Sequence, residues 1–261
     1  MKIAVFQMSA ALAPADRPER IIAAMREAAT AGASLMIAPE LALSGYGRGA
    51  DFQNIAQTAQ GDWAEMLQSA ANETGIGIVA GFPERDGAQC FISAITMQPG
   101  GAAPVIYRKA CLYGDYEKEH FASAQASTIL AEIGGIKAAF LICYDVEFPE
   151  NVRRLARAGA DLIIVPTALP KGASAAFVAT HLVPTRAFEN QVFVAYADNA
   201  DSDDTCHYQG QSCIAAPSGA VLAAAPVAGD ALIYADIDVS AYDAWRDDSP
   251  YLSDAERYGL I

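Results

Sequence analysis

The five cysteines include no CxxC pair, histidine occurs only three times, and 17 basic residues face 31 acidic ones. Each shortage closes off a class of function. His120, His181 and His207 lie far apart, and Cys90, Cys111, Cys143, Cys206 and Cys213 are irregularly spaced, so no zinc-ligand pattern can be drawn and no metal is expected. A formal net charge of −14 offers no clustered cation for a phosphate backbone, which argues against nucleic acid as a partner. Long apolar runs are missing too. Ala138 to Cys143 and Leu162 to Val165 are far short of the roughly 20 residues that span a bilayer, so no membrane partner is expected. Met1 to Gln7 reads as a strand and not as a charged leader, and an odd cysteine count suits a reduced, cytoplasmic chain better than a disulfide framework.

What the sequence does have is apolar substance. Hydrophobic residues make up 53% of 261 positions and charged residues 18%, enough for a sizeable core. Short apolar runs alternate with Ala-rich stretches of helical period. Strands are expected over Ile3–Gln7, Leu35–Ala38, Ile76–Gly81, Phe91–Met97, Val105–Arg108, Lys137–Cys143, Leu162–Val165, Val192–Asp198, Ser212–Ala216 and Leu232–Ile237. Helices are expected over Pro18–Ala31, Gln60–Thr74 and Pro149–Ala158, the last opening on a proline suited to a first helical turn. The alternation predicts a layered α/β fold. No low-complexity linker interrupts it, so residues 1–261 read as a single domain whose stretch from Ala241 onward wraps a surface or a partner subunit. One internal likeness stands out: Ala31–Glu40 reads AGASLMIAPE and Ala158–Thr167 reads AGADLIIVPT. Two duplicated halves packed face to face would produce it, and so would any βαβ unit with the order helix, Gly, strand, Pro.

Three polar residues close apolar runs: Glu40 ends LMIAPE, Lys109 ends PVIYRK and Cys143 ends KAAFLIC. The carboxyl ends of strands line ligand crevices in α/β sheets. A thiol there is a candidate nucleophile once a base activates it, because a free cysteine with a pKa of about 8.5 is mostly protonated at neutral pH. Glu40 is the candidate base and Lys109 the candidate stabiliser of an anionic intermediate. A packing cysteine, a capping glutamate and a solvated lysine are the plainer alternatives.

The segments APELALSGY, YRKACLYGDYEKEHF and LICYDVEFPENVRRLARAGADLIIVPTA closely resemble the signatures of the nitrilase (carbon–nitrogen hydrolase) superfamily. TRAFENQVFVAYADN and YQGQSCIAAPSGAVLA resemble its later RA-x-EN segment and G-x-S-x-I-x-x-P-x-G hairpin, so the likeness runs through nearly the whole chain. The resemblance implies a four-layer αββα sandwich and a Glu-Lys-Cys triad, here Glu40, Lys109 and Cys143. It further implies that Glu117, or less readily Asp115, supports the lysine and positions substrate. Tyr46, Tyr116 and Tyr144 flank these residues and are candidates to line the pocket. Arg186 and Glu189 are candidates for support or for a structural ion pair. Within the superfamily the chain most resembles small bacterial aliphatic-type amidases, including those acting on 5-aminovaleramide and on stereo-defined carboxamides, and its Cys-Tyr-Asp turn looks more like amidases than like true nitrilases. The resemblance thus implies hydrolysis of a small carboxamide to acid and ammonia through a thioester, with no cofactor, in a homodimer or larger assembly. An N-carbamoyl amino acid amidohydrolase or a nitrilase is the alternative, and a non-catalytic binding protein the third reading. A papain-like pairing of Cys143 with His181 or His207 has no supporting context. Cys111, Ala124 and Leu169 depart from the family's usual His, Gly and Asn and leave the shape and polarity of the acyl pocket open.

Overall fold

Strand β1 (Lys2–Ser9) sends Ile3 and Val5 into one hydrophobic core and Ala4, Phe6 and Met8 into another. Strands β2 (Leu35–Ile37) and β3 (Gly77–Asp86) divide the same way. Leu35, Ile37 and Val79 face the first core, and Met36, Ile78, Ala80 and Phe82 the second. A strand covered on both faces has no polar side to show, which is why these stretches read as unbroken apolar runs. The structure is a computed structural model describing residues 1–261. Helices α1 (Arg17–Thr30) and α3 (Asp62–Thr74), separated by the short α2 (Phe52–Ile55), supply Ile21, Met25 and Leu67 to the second core and so roof the outer face of this sheet.

The remaining strands are β4 (Gln89–Met97), β5 (Val105–Arg108), β6 (Leu130–Ile133), β7 (Ile136–Phe140), β8 (Leu162–Thr167), β9 (Phe193–Ala200), β10 (Cys213–Ala215), β11 (Val221–Ala224) and β12 (Ala231–Asp236). The remaining helices are α4 (Gly114–His120), α5 (Pro149–Arg157), α6 (Ala175–Phe177), α7 (Val183–Asn190), α8 (Asp243–Asp248) and α9 (Tyr251–Arg257). Val152, Leu155, Val183 and Ala187 of α5 and α7 join the larger core, so helix, sheet, sheet and helix stack as the expected αββα sandwich.

The strand pairings repeat. In the order β12-β1-β2-β3-β4-β5 the neighbours run antiparallel, parallel, parallel, antiparallel, antiparallel. The order β6-β7-β8-β9-β10-β11 gives the same series. The two sheets join where β1 pairs with β9 at Met8 and Ser9 against Asn199 and Ala200. The likeness between Ala31–Glu40 and Ala158–Thr167 is therefore matched by topology, and the equivalent residues meet: Glu40 N donates to Thr167 O at 3.3 Å.

One expectation changes. Strand β7 ends at Phe140, short of the Cys143 to which the apolar run extends, because the backbone turns there and Cys143 adopts φ +45° at the head of a 3-10 segment, Cys143–Glu147. The stretch beyond Ala241 forms helices α8 and α9, and Trp245 and Tyr251 pack on Phe188 of α7 in the same chain. No helix is long and apolar enough to cross a membrane.

Strand β3 passes directly beneath the Glu40 turn. A Cβ at Gly81 would lie 2.5 Å from Pro39 O and 2.7 Å from Glu40 Cα. Gly81→Ala is expected to cost about 1–3 kcal/mol in denaturant unfolding, as overpacked cores do, and to impair activity by displacing Glu40.

Candidate active site

Glu40 follows β2 in a tight turn whose next residue, Leu41, has φ +49°. Buried polar groups hold that turn. Asn199 Nδ2 donates to Glu40 O at 3.2 Å, Arg17 Nη2 donates to Asn199 Oδ1 at 3.3 Å, and Arg17 Nε donates to Ala42 O at 2.8 Å. Lys109 follows β5, and Glu117 lies on α4. The Lys109 ammonium donates to Glu40 Oε1 at 2.8 Å and to Glu117 Oε1 at 2.7 Å, with side-chain exposures of 0% for Lys109 and Glu40 and 2% for Glu117. Glu117 is held in turn by the Tyr46 hydroxyl at 2.5 Å and by Tyr113 N at 2.8 Å. Asp115 sits exposed on the same helix.

This cluster holds one cation between two carboxylates out of water, and its proton affinities shift accordingly. Burial pushes the Glu40 carboxyl up to about 7, with Lys109 opposing the shift and Glu117 adding to it. Burial works against the Lys109 charge, but Glu40, Cys143 and Glu117 outweigh it and hold the ammonium above its ordinary range. Burial and the charge of Glu40 push the Cys143 thiol well up, against the pull of Lys109, so it rests as a thiol. Burial also raises the Tyr46 phenol, which stays a donor to Glu117. Glu40 Oε2 is buried without a hydrogen-bond partner, and the Cys143 thiol lies close enough to stabilise the carboxylate.

Cys143 occupies a strained strand-to-helix turn, a backbone state that needs support from its surroundings. Asp145 provides it: Oδ2 accepts from Ile142 N at 3.1 Å and from the Tyr107 hydroxyl at 2.9 Å, and Oδ1 accepts from Cys111 N at 2.7 Å. Asn151 Nδ2 donates to Asp145 O at 2.9 Å. Arg186 Nε and Nη2 donate to the carbonyls of Val146 at 3.0 Å and Glu147 at 2.6 Å, while Nη1 pairs with Glu189 at 2.9 Å. Arg186 thus clamps the turn and forms an ion pair at once. Sequence reasoning assigned no role to Asp145 or Asn151. The available signal was their place in CYDVEFPEN, two short polar residues bracketing the first helical turn after an apolar strand.

Cys143 also lines a cavity of about 170 Å³ with Tyr113, Tyr144, Glu147, Leu169 and Lys171. Of the three tyrosine candidates, Tyr144 alone borders it. Tyr46 spends its hydroxyl on Glu117. Tyr116 donates to Tyr46 O at 2.8 Å, accepts from Gly49 N at 2.9 Å and stacks on the Tyr46 ring. Both tyrosines brace the lysine cluster instead of lining the cavity, because neighbouring groups saturate their hydroxyls. Leu169 borders the cavity, and its N–H is bound to the buried Asp198 Oδ1 at 2.8 Å. Ala124 N donates to Lys109 O at 3.1 Å. Cys90 and Cys213 are buried and Cys111 and Cys206 half-buried, all unpaired. His181 stacks on Phe177, His120 meets Tyr116 edge to face, and His207 bridges to Ser202.

A lysine shared by two buried carboxylates, beside a cysteine on a strained turn of an αββα sandwich, defines a hydrolase of the nitrilase type. The chain belongs to the carbon–nitrogen hydrolase family, whose model matches residues 2–247, and it is a hydrolase of non-peptide carbon–nitrogen bonds. It is 40% identical to a hydrolase of Pseudomonas protegens over 85% of this chain and 78% of the relative. An (R)-stereoselective amidase of a Pseudomonas species is 30% identical over 84% of this chain and 78% of the relative. The solved amidase of Nesterenkonia sp. AN1 is 32% identical, with a TM-score of 0.86 over 100% of this chain and 99% of that one. That amidase has been captured with butyramide, and with acrylamide added to its active-site cysteine.

Removing the shared cation leaves two buried carboxylates facing each other. Lys109→Met is expected to lose about 3–5 kcal/mol of folding stability at neutral pH, measured by urea unfolding. Part of this should return on acidification, because the folded variant then takes up protons that relieve the repulsion.

Proposed function

We propose that the chain is a cysteine-dependent amidase that converts a small carboxamide to its carboxylic acid and ammonia through a thioester. The observation that carries this reading is the geometry around Glu40. Oε1 is engaged by Lys109 at 2.8 Å, the buried Oε2 is left without a hydrogen-bond partner, and the Cys143 thiol stands near enough to the carboxylate to stabilise its charged form. Glu40 takes the thiol proton at Oε2, and Sγ attacks the amide carbonyl carbon. The Lys109 ammonium and the backbone N–H of Tyr144 hold the oxyanion that develops. Glu40 returns the proton to the amide nitrogen, the carbon–nitrogen bond breaks, and ammonia leaves a thioester on Cys143. Glu40 then deprotonates a water that attacks the thioester, and the acid departs as the thiol regains its proton. Glu117 and Tyr46 hold the lysine on its bearing. Burial tunes Glu40 to accept and donate a proton near neutrality, which is what one group serving both half-reactions requires.

The size of the cavity supports a small acyl group. At about 170 Å³ it lies well below the roughly 300–1,000 Å³ of pockets that hold drug-sized ligands. The butyramide and acrylamide complexes of the Nesterenkonia amidase agree with that scale. A nitrilase of Pyrococcus abyssi is 32% identical over 92% of this chain, so nitrile or carbamoyl cleavage is the rival activity. An ammonia-release panel of amides, nitriles and N-carbamoyl amino acids separates them, since carbamoyl cleavage also yields carbon dioxide.

Cys143→Ala is expected to abolish amide turnover while circular dichroism stays unchanged; retained turnover would refute the covalent route. With Glu40 required as the carboxylate, kcat/KM should rise with pH, about tenfold per unit below the apparent pKa near neutrality, and level off above it. An acid limb centred near the ordinary carboxylate range would remove Glu40 from the role of base.

A further inference from the structure

Asp198 is fully buried near the end of β9, and the route through Cys143 gives it no part. Its Oδ1 accepts from Leu169 N at 2.8 Å, and its Oδ2 is buried without a hydrogen-bond partner. Burial pushes this carboxyl well up and the charge of Glu40 adds to the shift, against the N–H groups of Leu169 and Asn199. An acid in that position costs stability. What it offers that a hydrocarbon could not is an acceptor for the Leu169 N–H.

That N–H lies one residue from the place where the proposed nucleophile and base come together. The carbonyl of Thr167 accepts from Glu40 N at 3.3 Å. The N–H at the other end of the same peptide group belongs to Ala168, and it stands close enough to the Cys143 sulfur to stabilise its charged form. One peptide plane thus meets the backbone of the base on one side and the sulfur on the other. Leu169 follows on the cavity wall with no polar side-chain atom, so its backbone fixes it: the N–H to Asp198, and the carbonyl accepting from Gln209 N at 2.9 Å. Asn199, the next residue of β9, donates to Glu40 O at 3.2 Å. Two consecutive residues of one strand therefore pin both the turn that carries the base and the segment that faces the sulfur.

We propose that Asp198 is a positioning residue for the amidase reaction, holding the Thr167–Ala168 peptide through Leu169 so that the Ala168 N–H meets the sulfur as Glu40 takes its proton. The proposal rests on the amidase reading and deepens it. No bond forms or breaks at Asp198. The thiol proton passes to Glu40, the sulfur electron pair goes to the amide carbon, and the Ala168 N–H stabilises the negative charge on sulfur in between. Asp198 acts as an acceptor and not as a charge, because the Leu169 N–H needs only an oxygen lone pair, which an acid, a carboxylate and an amide all supply.

The test compares wild type with Asp198→Asn, which keeps an oxygen for the Leu169 N–H, and Asp198→Ala, which does not. With butyramide as substrate, Asp198→Ala should lower kcat and kcat/KM together by about 10–100-fold, as a misplaced transition-state contact does. Asp198→Asn should stay near wild type. The second readout is the rate at which methyl methanethiosulfonate, a small neutral reagent for thiolates, modifies Cys143, followed by mass spectrometry with the buried Cys213 as reference. Asp198→Ala should slow Cys143 by about tenfold, as the loss of a hydrogen bond to a charged group would. A merely structural role would loosen the site and speed both thiols. Unchanged kcat in Asp198→Ala, a loss in Asp198→Asn as large as in Asp198→Ala, or faster modification of Cys143 would each overturn the proposal. Should Asp198→Ala fail to fold, Asp198→Val, which suits a strand and fills the space without an acceptor, takes its place with the same expectations. If the wild-type enzyme hydrolysed no amide, the amidase reading would fall, and the modification rates would still decide the role of Asp198.

Discussion

The molecule is organised around a single ammonium group that two carboxylates share in the absence of water. Lys109 at 0% side-chain exposure is tolerable only because Glu40 and Glu117 stand 2.8 and 2.7 Å from it. A charge buried with one partner missing is severely destabilising, so all three groups must be in place together. That requirement propagates outward. Glu117 needs Tyr46 and the N-terminus of α4, and Glu40 needs the turn held by Asn199 and Arg17. The turn needs a neighbouring strand with no side chain at Gly81. Burial, with the neighbouring negative charge adding to it, keeps the cysteine protonated at rest and raises the affinity of Glu40 for a proton.

Much of this was legible in the sequence, for a physical reason. Short apolar runs bounded by turn residues point to buried strands, and a charged residue that ends such a run has nowhere to go except a cap, the solvent or a site. Glu40, Lys109 and Cys143 were visible in that way, and Glu117 through the motif around it. The alternation of strand and helix was likewise enough to reach the layered fold. Asp145, Asn151, Arg17 and Asn199 were not legible as supports, because their partners are backbone groups that tertiary folding brings near. Asn199 and Glu40, for example, are 159 positions apart. Tyr46 and Tyr116 were read toward the pocket because proximity in sequence says nothing about which way a hydroxyl faces. The edge strands β6 and β11 carry too few alternations to stand out, and the end of β7 was misread because a strained turn can follow an apolar run without any glycine to mark it.

The odd number of cysteines also takes on a clearer meaning. Burial raises the thiols of Cys90, Cys111, Cys206 and Cys213, and it raises that of Cys143 as well. A depressed pKa therefore does not distinguish the proposed nucleophile. Cys143 differs in acting on a buried carboxylate that keeps one oxygen without a partner, so on the proposed route its proton is taken in concert with attack. Reactivity on demand suits a thiol that a small, partly enclosed cavity leaves open to substrate.

The repeated sheet order carries a consequence about symmetry. Glu40 and Thr167 occupy equivalent places in the two halves and touch each other through the backbone. The two halves meet there backbone to backbone, yet the matched positions carry different side chains, a carboxylate in the first half and a hydroxyl in the second. Likeness of topology therefore brings no likeness of chemistry at the seam.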